Sequence, residues 1–181
     1  MSAVYGQIPV LSASGSGATS LTAFHAALVA VGLGGRNILR ISSVIPPETS
    51  IDATGKATAP AGAYGDLTYC VYADQRATVV GEQAWAGIGW IQRLSGAGGL
   101  FVEHEGTSEG LVAHAIQTSL ADLVRGRDGE YAAPDCVITG VICTGAPVCA
   151  LVIAPYESGS WVGCGASLRS ARMGPAEPED G

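Results

Sequence analysis

The sequence predicts an α+β fold, a few helices packed against largely antiparallel β-sheet in a single domain. Two stretches carry apolar residues at helical spacing, and several runs between and after them are rich in β-branched and aromatic residues. No repeat or linker divides the 181 residues, and a chain of that length can bury a core of its own.

Residues 8–12 read as a short opening strand. The run 14–20, Ser-Gly-Ser-Gly-Ala-Thr-Ser, reads as a loop feeding a helix that starts near Ser20, with Leu21, Phe24, Leu28 and Val31 at helical spacing. Gly32, Gly34 and Gly35 end it, since glycine tolerates the left-handed turn at a helix end. Residues 37–41 form a strand that runs directly into Ser42 and Ser43. Pro46 and Pro47 then force extended backbone just beyond the serine pair. The segment 49–64, made largely of Ala, Thr, Gly and Pro, reads as an irregular excursion. Strands are expected at 66–73, within 78–90 and at 99–105. An amphipathic helix follows over 108–125, with Val112, Ile116, Leu120 and Leu123 on one side. Two more strands, 137–143 and 148–153, close the pattern. The folded domain is expected over 1–172, with 173–181 a disordered tail of prolines and acids.

Composition removes several classes of function. A net charge of −7 argues against nucleic acid or an anionic membrane as the main partner. No apolar run approaches the ~18 residues that span a bilayer, and the first residues lack the pattern of a secretory signal. The expected location is the cytoplasm. Only 14% of residues are charged and 26 are glycine, a composition suited to tight turns and to subunit contacts. The five cysteines contain no C-x-x-C pair and sit mostly in strand-like surroundings, so they read as reduced core thiols. His25, His104 and His114 do not combine with them into ligand spacing, and no metal site is expected.

Three motifs compete for the chemistry. The glycines at 15 and 17 precede a helix, but the third glycine of a dinucleotide fingerprint and the Gly-Lys of a P-loop are missing, so a turn with a helix cap is the better reading. Gly106-Thr-Ser-Glu-Gly110 matches the G-x-S-x-G pattern of serine hydrolases. The sole histidine after Ser108 is His114, in the same helix, which favours Ser108 as a helix cap. The third motif is Ser42-Ser43, which a strand delivers into a proline-restrained turn where strain can hold a hydroxyl against the preceding carbonyl.

Leu21-Thr-Ala-Phe24, Gly32-Leu-Gly34, Asn37-Ile-Leu-Arg-Ile-Ser-Ser-Val-Ile-Pro-Pro47 and Phe101-Val-Glu-His-Glu-Gly106 closely resemble the pyruvoyl-dependent arginine decarboxylases. The resemblance is nearly ungapped over 8–48 and returns around Glu103. It implies an αββα-type sandwich and a covalent pyruvoyl cofactor made from Ser43. In this scheme the Ser43 hydroxyl attacks the Ser42 carbonyl and an ester replaces the peptide bond. Elimination and loss of ammonia then leave chains 1–42 and 43 onward. The ketone forms a Schiff base with the substrate amine and draws in the electrons left by CO₂. The resemblance also implies that Asn37 assists the rearrangement and that Glu103 returns a proton to the α-carbon, as a glutamate among Leu100, Phe101 and Val102 could be buried enough to do. It assigns Leu21, His25, Leu28, Gly34, Arg36 and Ser42 to substrate binding, between the subunits of a homotrimer or a dimer of trimers.

Two positions depart from the family. His25 stands where the arginine enzymes carry an aspartate, and Arg36 replaces a small apolar residue. A substrate guanidinium would be repelled by Arg36, whereas a carboxylate would pair with it. The expected substrate is therefore an amino acid other than arginine, with an acidic, polar or neutral side chain. Two readings from other classes stand beside this one: a serine hydrolase using Ser108, and a catalytically silent assembly subunit.

Overall fold

The computed structural model describes residues 6–160. It contains, among the described residues, strands β1 (Gly6–Pro9) and β2 (Leu11–Ser16), helix α1 (Ser20–Ala30), strands β3 (Asn37–Arg40), β4 (Val44–Ile45), β5 (Thr49–Asp52), β6 (Leu67–Ala77), β7 (Gln83–Gln92) and β8 (Gly99–Gly106), helix α2 (Glu109–Val124), and strands β9 (Asp135–Ile142) and β10 (Val148–Gly159). The expected tail at 173–181, the last part of the expected domain and Cys164 lie outside the described residues.

Two four-stranded sheets face each other, with strand orders β2-β10-β6-β3 and β4-β8-β7-β9. Alternation along the strands sorts their side chains into layers. Val148, Ala150, Val152 and Ala154 of β10 meet Ala84, Ala86, Ile88 and Trp90 of β7 between the sheets. The intervening Cys149, Leu151 and Ile153 face outward onto Ala23, Ala27 and Leu28 of α1. On the other side, Ile91 and Val102 pack beneath Val112, Ile116 and Leu120 of α2. The result is the four-layer αββα sandwich expected. Pairing is antiparallel apart from β3 with β6 and the small β1–β5 ribbon. No helix among the described residues is long and apolar enough to cross a membrane.

Both helices begin where hydroxyls cap them. Thr19 and Thr22 bond reciprocally at the start of α1, and Ser108 Oγ accepts from the Leu111 N–H at 3.4 Å to open α2. The run 14–20 is not all loop, because β2 continues through Ser16. A Cβ at Gly15 would strike the Ala23 carbonyl, so glycine there lets α1 lie close on the strand. The excursion 49–64 likewise contains β5, paired with β1. Of the cysteines, Cys70, Cys143 and Cys149 are buried, while Cys136 is exposed at the start of β9. Burial pushes the Cys70 and Cys149 thiols up to about 12, consistent with inert core groups.

Candidate active site

The serine pair lies where the chain changes sheets. β3 is an edge strand of one sheet and β4 an edge strand of the other, so residues 41–43 form the bridge between them. Each end of the bridge is anchored. The Ile41 N–H donates to the Cys70 carbonyl at 3.0 Å, and the Phe101 N–H donates to the Ser43 carbonyl at 2.8 Å. Between these anchors the Val44 N–H reaches back to the Ser42 carbonyl at 2.9 Å, closing a three-residue turn around Ser43. The carbonyl that the Ser43 hydroxyl would have to attack is thus already held and polarised by a donor.

The Ser43 hydroxyl donates to Glu103 Oε1 in a very short contact. Glu103 shares its face of β8 with Phe101 and pairs across to Ile88, both of which belong to the layer between the sheets. It therefore sits at the rim of that layer, with its side chain 14% exposed. Its other oxygen, Oε2, lies 3.9 Å from Nη2 of Arg40. Above the bridge, Pro155 breaks the register of β10 and leaves Tyr156 as the extra residue of a bulge. The bulge aims its hydroxyl at the Val44 carbonyl, 3.0 Å away. Burial pushes the Tyr156 phenol well above its usual range, with the Glu103 charge adding to the effect, so it remains a donor at any physiological pH.

A concavity of about 410 Å³ opens on this group, lined by Ser43, Glu103, His104, Ser119, Asp122 and Leu123 among others. His104 Nε2 and Ser119 Oγ are 2.8 Å apart on its α2 side. A larger hollow of about 480 Å³ beside the end of α1 is lined by residues such as Val10, Ala30, Ala59 and Val137 and contains no acid or base. Chemistry belongs to the smaller one.

Not every expected site residue reaches it. Ser42, Ser43 and Glu103 come together. Asn37 stands at the far end of β3, six residues before Ser43, with its side-chain amide donating to the Gly65 carbonyl at 2.7 Å. Arg36 is folded inward: its side chain is 8% exposed, 3.9 Å from Asp66, and donates to the Pro60 carbonyl at 3.3 Å. Leu21 and His25 are exposed on α1, Leu28 is buried beneath that helix, and Gly34 packs on Val29. Within one chain none of these six lines the concavity at Ser43. Ser108 caps α2 and His114 is exposed on that helix, so the hydrolase pattern is a structural motif here. No cluster able to hold a metal ion occurs among the described residues. Arg40 and Tyr156 are the groups that reading the sequence missed. Arg40 lies inside the serine motif, but its partner Glu103 is 63 positions away. Tyr156 is announced only by the strand-breaking proline before it.

A serine hydroxyl on a carboxylate, beside a preceding carbonyl held by a backbone donor, is an arrangement in which the hydroxyl can be activated as a nucleophile. That points to the class of pyruvoyl-dependent decarboxylases. A family model described as pyruvoyl-dependent arginine decarboxylase matches residues 7–156. Pyruvoyl-dependent arginine decarboxylases from two strains of Halobacterium salinarum are each 32% identical over 145 residues, covering 79% of this chain and 89% of the relative. The enzyme of that description from Methanocaldococcus jannaschii is 36% identical over 100 residues, 55% of this chain and 58% of its own. A pyruvoyl-dependent histidine decarboxylase structure solved at pH 8 aligns at TM-score 0.42 and 14% identity over 60% of this chain and 61% of that one, too distant to carry an argument. The chain belongs to the pyruvoyl-dependent arginine decarboxylase family. It is a decarboxylase whose cofactor is a covalent pyruvoyl group, and Ser43 with its neighbours fits the making of one.

Proposed function

We propose that this protein cuts itself between Ser42 and Ser43 and then decarboxylates a small amino acid. One observation carries the reading: the Ser43 hydroxyl donates to Glu103 beside a Ser42 carbonyl held by the Val44 N–H. Glu103 accepts the hydroxyl proton as Oγ bonds to the Ser42 carbonyl carbon. The C–N bond then breaks and the nitrogen of residue 43 takes a proton, leaving an ester. Loss of the Cα proton of residue 43 expels the Ser42 carboxylate. Water then releases ammonia and leaves the ketone.

When formed, the pyruvoyl group supplies an electron sink for the carboxylate carbon's bonding pair. Glu103 is aimed at the position of the former hydroxyl and returns the proton that replaces CO₂. General acid–base assistance of this kind supplies about 10²–10⁴-fold.

The substrate and the assembly belong to the same proposal. Arg36 is engaged by Asp66 and the Pro60 carbonyl, which weakens the case for an acidic side chain. His25 remains where the arginine enzymes carry an aspartate, while Asp122 lines the concavity at Ser43, so a polar or neutral side chain is the better supported choice. Leu21 and His25, exposed on α1 and outside the concavity at Ser43, can reach it only from another copy of the chain. That requirement supports a homotrimer or a dimer of trimers. Intact mass of the purified protein tests the cleavage, two chains being expected and a single uncut chain supporting the silent assembly subunit instead. A CO₂-release screen over arginine, aspartate, glutamate and apolar amino acids tests the substrate; brisk turnover of arginine alone would sink the altered specificity. Sedimentation tests the assembly, and a monomer with full activity would refute the shared site.

A further inference from the structure

We propose that Arg40 is the positioning residue for Glu103, holding the carboxylate plane so that Oε1 stays on the reacting atoms of residue 43. This rests on the reading of Glu103 as the group that moves protons.

The two oxygens of Glu103 have different neighbours. Oε1 takes the Ser43 hydroxyl, and Oε2 faces Arg40 Nη2 at 3.9 Å. Once Ser43 has lost its hydroxyl, the tether on Oε1 is gone, and a glutamate terminus rotates through a broad, low torsional well. The charge on the far side is then what opposes rotation. Among the described residues, no other cation lies within ion-pair distance of Glu103.

The guanidinium is itself held in place. It lies over the Tyr72 ring, 4.9 Å from the centroid, and Tyr72 packs on Phe24 with centroids 6.1 Å apart. Its backbone is fixed by the parallel register Arg40–Cys70 at the end of β3. Because the side chain is 54% exposed, the pair is screened and little of the fold depends on it. A residue placed this way acts on the orientation of its partner with small effect on stability. The other polar groups around Glu103 are the Ser43 hydroxyl from the bridge, the Tyr156 phenol from β10, and, lining the same concavity, His104 of β8 with Ser119 and Asp122 of α2. β7 presents only Ile88 opposite Glu103.

The test uses the full-length precursor and the mature enzyme, comparing wild type with Arg40→Gln and Arg40→Lys. Three quantities are followed: self-cleavage by intact mass, CO₂ release, and Tm. For Arg40→Gln, self-cleavage and kcat are each expected to fall about fivefold, the most a screened ion pair supplies. KM and Tm should be little changed. Arg40→Lys should restore part of each rate. A processed, active wild type alongside an Arg40→Gln variant with the same rates would overturn the role of Arg40 alone. Equal losses in both variants with a matching fall in Tm would reduce it to a structural residue. An uncleaved, inactive wild type would sink the reading of Ser43, and the role of Arg40 with it.

Discussion

The motif at residues 36–47 has two ends that look alike in sequence and differ in what they hold. At one end Arg36 and Asn37 turn their polar groups onto the loop 60–66, where Asp66, the Pro60 carbonyl and the Gly65 carbonyl receive them. At the other, Ser43, Glu103 and Arg40 form a chain of polar groups that ends on a peptide bond. The first end completes a loop. The second places a hydroxyl on a carboxylate, next along the chain from a carbonyl held by a backbone donor, which is the arrangement the proposed self-cleavage needs. The difference teaches that a cation in the motif is informative only once its partner is known.

Substitutions can break this contrast. The largest effect is expected for Ser43→Ala, which should abolish both cleavage and CO₂ release while the protein folds normally; intact mass showing two chains would contradict it. Glu103→Gln keeps the shape and removes the carboxylate, so kcat should fall about 10²–10⁴-fold, measured on whatever chain has been processed. Arg36→Met should act in the opposite sense. It removes the hydrogen bond to the Pro60 carbonyl while Asp66 keeps the Ala63 N–H, and should cost about 1–3 kcal/mol by denaturant melts, while the precursor still cuts itself. If cleavage is lost with stability intact, the two ends are not separate. Tyr156→Phe should be the mildest, about 1 kcal/mol for one hydrogen bond. Its pH dependence has a definite sign. A phenol whose ionisation is pushed up in the folded state contributes stability that is full below its ordinary value near 10 and declines as pH rises beyond it. The variant should lose that alkaline decline.

Much of this was legible in the chain. The capping serine and threonine, the periodicity of α2 and the β-branched and aromatic runs of β6 and β8 are local patterns, and they predicted their elements closely. The serine pair with its prolines marked the bridge between the sheets, and Glu103, recognisable beside Phe101, is the carboxylate that meets Ser43 there. What could not be read was anything that depends on which strands become neighbours. Nothing local says that β3 and β4 belong to different sheets, or that a tyrosine 112 residues on will cover the carbonyl of Val44. The glycines at 15 and 17 misled for the same reason. They resemble a flexible loop, yet Gly15 is a strand residue shaped by a helix lying on top of it.

The sheet order carries one more consequence. Within β2-β10-β6-β3 the two outer strands precede Ser43 and the two inner strands follow it, while β1 grips β5 in the small ribbon. A cut at the bridge would therefore leave residues 1–42 as a clasp closed around both sides of the longer piece, secured by three separate ladders. The bond proposed to be severed is one whose loss the architecture would barely notice.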